Sequence, residues 1–113
     1  MHEVSLAEGM LRIVEDAARA NAAARVHTVW IEVGALAHVE PEALMFCFDA
    51  VSRGGVAEGA KLEIERTPGA AWCMPCGARV PLERLGDECP QCGSFQLQVV
   101  DGEEMRVKEI GIA

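Results

Sequence analysis

Residues 73–93 of the chain read CMPCGARVPLERLGDECPQCG, and this stretch decides how the rest of the sequence is divided. It holds two Cys-x2-Cys pairs, Cys73/Cys76 and Cys89/Cys92, separated by twelve residues. Two thiolates three positions apart can hold one metal ion from a tight turn, and the glycine after each pair suits the left-handed backbone that such turns often need. The pattern predicts one tetrahedral site of four thiolates, with zinc as the favoured metal and iron as its main competitor.

The composition around the cysteines favours zinc over iron. An iron site of the rubredoxin kind has little aromatic shielding available here, since only Trp72 and Phe95 lie nearby, and no flavin or nicotinamide motif accompanies it. All four ligand positions are cysteine and no histidine lies between them, so we do not expect an open catalytic position. A ribbon of about 30 residues has almost no core, so the metal is expected to supply its folding energy.

The sequence on either side of this insert shows the periodicity of regular elements. Helical spacing begins near Leu6, and alternation over Val29–Val33 predicts a strand that ends near Gly34. A second helix is predicted from Pro41, closed by Gly54-Gly55. Further strands are predicted around 62–64 and from 105 to 110, whereas 72–95 reads as turns and cysteines. The apolar stripe of the first helix comprises Leu6, Met10, Ile13, Val14, Ala17 and Ala18.

Charge and cysteine usage limit the class of protein. The 113 residues contain 18 acidic and 10 basic side chains, a net charge of −8. Binding to a phosphate backbone depends on Lys and Arg, so nucleic acid is not an expected partner. There is no signal pattern and no apolar run of about 18 residues, so no membrane association is expected. Four of five cysteines in two pairs fit a reducing compartment, which predicts a soluble cytoplasmic protein.

A second candidate metal site lies at the start of the sequence, in Met1-His2-Glu3. A histidine beside a free amino terminus places an imidazole, an amine and a backbone amide nitrogen within one chelating reach. Nitrogen ligands in a flat arrangement suit Ni(II) or Cu(II) better than zinc or magnesium. Ser5 and Glu8 form a capping box that predicts a helix from about Leu6, so we expect this terminus to be held in place.

The remaining polar candidates have simpler interpretations. Cys47 lies on the apolar stripe of the second predicted helix and is expected to be a small buried hydrophobe. His27 and His38 are expected to be surface or packing residues. No nucleophile is paired with a base and no phosphate-binding glycine loop is present, which argues against an enzyme.

Several short segments along the whole chain carry a family resemblance. They are Met1-His2-Glu3, Ser5-Leu6, Ile13-Val14-Glu15, Val33-Gly34-Ala35-Leu36, Phe46-Cys47-Phe48, Glu58-Gly59-Ala60, the pair Cys73/Cys76, Cys89-Pro90-Gln91-Cys92-Gly93-Ser94 and Glu104-Met105-Arg106-Val107. In this combination the sequence resembles the HypA/HybF family of hydrogenase nickel chaperones.

The resemblance implies an α+β fold with two helices on a small three-stranded sheet and an inserted zinc-ribbon domain with four cysteine ligands. The nickel-binding domain would comprise 1–67 plus 100–113, and the zinc-binding domain 68–99. It implies that His2 is the essential nickel ligand, joined by the Met1 amine and a backbone amide nitrogen, with Glu3 in the same motif. Zinc would be structural, held by Cys73, Cys76, Cys89 and Cys92.

The same resemblance implies delivery of Ni(II) to the large subunit of [NiFe]-hydrogenase, together with the GTPase HypB, by a monomer or weak homodimer. Some members carry histidines just after the zinc cysteines, which help to couple the two metal sites. Here those positions are Gly77 and Gly93, so direct histidine coupling is not expected.

Two functions of other classes remain open from the residues alone. A zinc-ribbon adaptor would bind other proteins and leave His2 without a metal role. A nucleic-acid adaptor is a weaker form of this alternative, because 68–99 contains only Arg79 and Arg84 as basic residues. A rubredoxin-like electron carrier would hold coloured iron instead of colourless zinc.

Overall fold

The chain has the α+β architecture predicted for it, with two helices and small three-stranded sheets. The computed structural model describes residues 2–113. The sheet orders are β2-β1-β6 and β4-β3-β5. The elements in chain order are α1 (His2–Ala20), β1 (Val26–Gly34), α2 (Pro41–Ser52), β2 (Lys61–Thr67), β3 (Ala70–Cys73), β4 (Ala78–Pro81), β5 (Leu97–Asp101) and β6 (Met105–Ile112). Between residues 2 and 113, no helix is long and apolar enough to cross a membrane.

The chain forms two compact units. The first comprises the chain up to Ile31 together with Val39–Glu65 and Arg106–Ala113, and the second comprises Glu32–His38 and Arg66–Met105. In the first unit α1 packs against α2. Its core is made chiefly of side chains from both helices and from β1, because each element directs one apolar face inward, and Ala57 and Leu62 add to it. The largest of these buried side chains are Phe48, Ile31, Leu44, Val14, Val26 and Val29.

Helix α1 begins earlier than the capping box predicts. It starts at His2, so Ser5 is an exposed residue inside the helix and not its cap. The reason is a tertiary contact: the nearly buried carboxylate of Glu3 accepts a hydrogen bond from the backbone N–H of Glu40 at 3.4 Å. An acidic residue in the first turn also interacts favourably with the helix dipole. The prediction of a start near Leu6 is therefore wrong.

The buried face of α1 also differs in part from the predicted stripe. Met10, Val14 and Ala18 are buried as expected, and Ala7 joins them. Ile13, however, is 54% exposed, because the inward face follows the line that begins at Glu3. The hydrophobic pattern alone could not distinguish Ile13 from Val14, its neighbour in the chain.

The predictions for β1 and α2 are confirmed. Val29, Ile31 and Val33 are all buried along β1. Helix α2 begins at Pro41 and ends at Ser52, and Gly54 follows with a left-handed φ of 80°. These two elements have the clearest sequence signals, since alternation and a proline at the first helical position both act locally.

The cysteine-bearing insert contains more regular structure than the sequence indicates. β3 pairs antiparallel with both β4 and β5, and Cys73 lies opposite Ala78 on one side and Leu97 on the other. Strands of four or five residues are too short to show a repeated pattern, so 72–95 read as turns alone. A small core closes against this sheet, consisting of Leu36, Ala71, Cys73, Val80, Leu82 and Cys89.

Three glycines allow backbone segments of the second unit to approach closely. A side-chain carbon added at Gly34 would overlap the carbonyl group of Gly102. One added at Gly69 would lie 2.5 Å from the carbonyl oxygen of Leu82. Gly102 itself has a φ of 96°. The backbone hydrogen bonds Gly34 N–H to Glu104 O and Leu82 N–H to Gly69 O, at 2.8 and 3.0 Å, depend on this proximity.

We predict that Gly34→Ala lowers the free energy of unfolding by more than about 2 kcal/mol, because the methyl group meets backbone that has no free space to move into. Gly9→Ala is the matched control: no atom lies within 4 Å of the added carbon, and the site is inside α1. This control should stabilise the protein by about 1 kcal/mol through helix propensity. Urea unfolding monitored by circular dichroism measures both, and equal effects of the two variants would contradict the close approach.

Cys47 is 6% exposed on α2, as predicted for a buried apolar residue. We expect Cys47→Ala to destabilise the first unit by about 1 kcal/mol through the small volume that is lost, and to leave the metal content unchanged. Rapid modification of Cys47 by a thiol reagent in the folded protein, followed by mass spectrometry, would contradict its burial.

Candidate metal centre

Each cysteine pair forms a turn of the same backbone geometry. Gly77 donates its N–H to the carbonyl of Cys73, and Gly93 donates to the carbonyl of Cys89, both at 2.9 Å. The two glycines have left-handed φ values of 59° and 75°, as the sequence predicts. This conformation folds the chain back so that the two thiols of a pair point to one place. The first turn joins β3 to β4, which fixes its position on the sheet.

The two turns bring all four thiols together. The Sγ atoms of Cys73, Cys76, Cys89 and Cys92 all lie within 4.8 Å of one another. The Cys73–Cys92 contact is 3.6 Å and the Cys76–Cys89 contact is 3.9 Å. Four sulfurs at the Zn–S distance of about 2.3 Å from a tetrahedral centre lie about 3.8 Å apart. The spacing therefore fits a four-thiolate metal site, and all five cysteines of the chain are free thiols.

The electrostatics of this cluster favour a cation at its centre. The pKa of the Cys76 thiol is raised to about 12, chiefly because its hydrogen bonds to Cys92 and Cys73 favour the protonated form. Burial opposes ionisation of Cys89, but hydrogen bonds from the N–H groups of Cys92 and Gln91 and from the thiols of Cys73 and Cys92 together lower the pKa of that thiol to about 7. Four like charges this close repel strongly, so a divalent cation is what allows all four to ionise.

The four thiols differ in their exposure. Cys73 and Cys89 are buried within the small core that also contains Val80 and Leu82, whereas Cys76 is half-buried and Cys92 is exposed. Cys73 and Cys89 are thus apolar packing residues that would also serve as ligands. Four protein ligands around one ion would leave no position for water or substrate, which is the arrangement typical of structural metal sites.

The amino-terminal candidate has a different character. His2 is the first residue of α1, and its side chain is 53% exposed. Its Nδ1 lies 3.4 Å from a carboxylate oxygen of Glu3. The pKa of Glu3 is lowered, first by its own backbone N–H and then by that of Glu40. Met1 lies outside the described residues.

The structure also places the other candidates and adds one residue that the sequence reasoning missed. His27 and His38 are exposed, and the Nδ1 of His27 contacts the hydroxyl of Thr28 at 2.9 Å. Within residues 2–113, the four cysteines are the one group of three or more His, Cys, Asp or Glu side chains arranged to hold a metal. The missed residue is Glu40, which caps α2 through its carboxylate and holds Glu3 through its N–H. Its position just before Pro41 was the available signal.

Comparison with known proteins matches nearly the whole chain to a single family. Residues 1–112 match the family described as "Hydrogenase/urease nickel incorporation, metallochaperone, hypA". The protein named hydrogenase maturation factor HypA from Albidiferax ferrireducens is 59% identical over 112 residues, covering 99% of both chains. Proteins of the same name from Dechloromonas aromatica and Azotobacter chroococcum are 57% and 54% identical over equal lengths.

Solved structures show the same fold. The solution structure of the nickel metallochaperone HypA from Helicobacter pylori superimposes with a TM-score of 0.71 at 22% identity, covering 99% of this chain and 97% of the other. A second solution structure, of a HypA protein, gives a TM-score of 0.72 at the same identity. The chain therefore belongs to the HypA family of nickel-incorporating metallochaperones for hydrogenase maturation, and is not an enzyme.

Proposed function

We propose that this chain binds Ni(II) through Met1, His2 and Glu3 and delivers it to the large subunit of [NiFe]-hydrogenase, with a HypB-type GTPase as its partner. The observation that carries the proposal is the position of His2, a half-exposed imidazole on the first residue of a well-anchored helix. Five free cysteines suit a reducing compartment, and we place this activity in the cytoplasm.

The helix start provides the other donors. The first N–H groups of an α-helix have no intrahelical acceptor, so the backbone nitrogen of His2 can bind a metal once it releases its proton to solvent. The Nδ1 of a histidine closes a six-membered chelate ring with its own backbone nitrogen, and the Met1 amine would close the adjacent ring. Three nitrogens in one plane form the arrangement that Ni(II) prefers.

Glu3 has a positioning role in this proposal. Its carboxylate is held by the N–H of Glu40 and lies 3.4 Å from His2 Nδ1, so it fixes the first turn of α1 beside the start of α2. Its negative charge also offsets the charge of a nearby dication. The metal would therefore meet a first helical turn that is already ordered from His2 onward, which reduces the entropy cost of binding.

Zinc is the ion that we assign to Cys73, Cys76, Cys89 and Cys92. The set of four thiols, whose sulfur atoms all lie within 4.8 Å of one another with two contacts of 3.6 and 3.9 Å, supports this assignment. When bound, zinc supplies neutralisation of the thiolate charge and no redox chemistry. The core of the second unit is small and includes two of the ligands, so its folding is expected to depend on the metal.

The contrast between the two sites suits a carrier of metal. A closed site that is partly buried retains its ion, whereas a chelate at an exposed helix start can pass its ion to another protein. We therefore assign the binding of the transported nickel to the amino terminus and a structural role to the cysteine site. The corresponding functional domains are 1–67 plus 100–113, which would bind nickel, and 68–99, which would bind zinc. The large subunit of the hydrogenase is the expected recipient.

We predict that Cys92→Ser lowers the zinc content and removes hydrogen-exchange protection from β3, β4 and β5, because the small core cannot persist when its ligands lose their ion. Protection in α1 and α2 should remain, since their core does not include these cysteines. Cys47→Ala is the matched cysteine control and should retain full zinc. Persistent protection of β3 and β4 in protein stripped of zinc would contradict the structural role.

We predict that nickel binding requires an unblocked Met1 amine and the imidazole of His2. Adding Gly-Ser before Met1, or changing His2→Ala, should weaken Ni(II) binding at least tenfold, or by about 1.4 kcal/mol, because each change removes one nitrogen from the chelate. Zinc content and the circular dichroism spectrum should stay unchanged. Calorimetric titration of zinc-loaded protein provides the measurement.

His38→Ala is the control for this experiment, because His38 is also an exposed histidine but lies in the loop before α2. It should bind nickel within about twofold of the unmodified chain. An extended protein that binds Ni(II) as tightly as the unextended one would place the nickel site elsewhere.

A further inference from the structure

A short loop before the second cysteine pair has no role in either metal site. Residues 83–88 are all exposed, yet both ends of the loop are fixed. Leu82 is buried and donates its N–H to Gly69 at 3.0 Å, and Cys89 is buried and donates to Ser94 at 2.8 Å. A turn closed by the N–H of Asp87 and the carbonyl of Arg84 shapes the loop between them.

Residues of this loop line two open grooves, and both grooves include Asp87 and Glu88. The proline groove has a volume of about 200 Å³ and is lined by Pro81, Leu82, Glu83, Asp87, Glu88 and Pro90. The phenylalanine groove has a volume of about 390 Å³ and is lined by Gly86, Asp87, Glu88 and Phe95. We call Asp87 and Glu88 the acidic ridge, because they border both grooves.

The charges of this surface are not compensated within the described chain. Between residues 2 and 113 the carboxylates of Glu83, Asp87 and Glu88 have no ion pair or hydrogen bond. Elsewhere in the same unit, by contrast, Asp101 pairs with Arg79 at 3.1 Å. Arg84 is the single basic residue of the loop and lies in no ion pair with these groups. A negative field therefore extends from the ridge into both grooves.

Exposed apolar side chains contribute to this surface in addition to its negative charge. The ring of Phe95 in the phenylalanine groove is 71% exposed, and Leu85 of the loop is 40% exposed. An aromatic face beside carboxylates attracts a cation through both the ring quadrupole and the negative charge. A metal ion is not the occupant that fits, because the described carboxylates do not form a group close enough to hold one.

We propose that this surface docks a basic segment of a partner protein. An arginine side chain of that segment lies across Phe95 and forms hydrogen bonds to the acidic ridge, and a neighbouring apolar side chain enters the proline groove. Arginine fits better than lysine, since its planar guanidinium stacks on rings and can bind carboxylates in a bidentate manner. This interaction is independent of the nickel proposal, and a failure of either leaves the other standing.

The test uses full-length, zinc-loaded protein and a fluorescein-labelled peptide of alternating arginine and leucine. A second peptide with citrulline at every arginine position keeps the shape and removes the charge. Fluorescence anisotropy should give saturable binding of the arginine peptide and at least tenfold weaker binding of the citrulline peptide. Backbone amide shifts in NMR spectra should change chiefly within 81–95.

Two variants locate the binding site. The double substitution Asp87→Asn and Glu88→Gln should weaken binding at least tenfold, and Phe95→Ala should weaken it severalfold. The charge-matched control is Glu103→Gln with Glu104→Gln, a pair of exposed acids in the same unit, which should change the affinity by no more than about twofold.

Three results would overturn the proposal. An equal loss in the Glu103/Glu104 control would show attraction to net charge alone, and the absence of saturable binding would show that the grooves do not accept such a segment. Dimerisation that is abolished by the Asp87/Glu88 variant, with no competition from the peptide, would assign the surface to a second copy of this chain.

Discussion

Four sulfur atoms held within 4.8 Å of one another are the constraint on which the second unit depends. Neutral thiols at this distance stabilise one another only a little, and ionised thiolates repel one another. The unit has no large apolar core that could hold them together against that repulsion, and two of the four cysteines belong to the core that it does have. In the proposed zinc site, ligand binding and packing would thus be the same interaction, which is common in domains too small to fold by burial alone.

The first unit is stabilised in a different way. Its buried side chains come from two amphipathic helices and a strand, and no cysteine other than Cys47 takes part. The unusual feature is the nearly buried Glu3, whose carboxylate reaches the backbone N–H of Glu40. A buried carboxylate must be satisfied by donors, and here the donor belongs to the residue that caps α2. The start of one helix is therefore fixed to the start of the other.

This contact also marks the limit of what the sequence could predict. The cysteine turns, the left-handed Gly77 and Gly93, helix α2 and strand β1 all follow from local patterns, and the structure has each of them. The start of α1 could not be read locally, because a hydrogen bond between residues 37 positions apart competes with the capping box at Ser5. For the same reason the sequence pattern predicts that Ile13 is buried, although the buried face of α1 follows the line of residues that begins at Glu3.

The short strands of the insert escaped prediction for another physical reason. Each is only four or five residues long, so alternation cannot repeat, and their pairing is fixed by long-range contacts such as that of Cys73 with Leu97. The close backbone contacts of Gly34, Gly69 and Gly102 could not be predicted from local patterns either. Each is unremarkable in its own segment, and their importance arises only when the three backbones meet.

The two proposed metal sites differ in how they would select their ions. Raw affinity of a divalent ion does not decide between them, because nickel and zinc lie close together in the usual order of stability. Geometry does. Cysteine pairs on two fixed turns impose a tetrahedron, which zinc accepts without electronic cost, while consecutive nitrogens at a chain end impose a plane, which suits Ni(II). Under the proposed function, the chain would thus gain selectivity from backbone geometry, with rigid turns around the retained ion and an exposed helix start for the ion in transit.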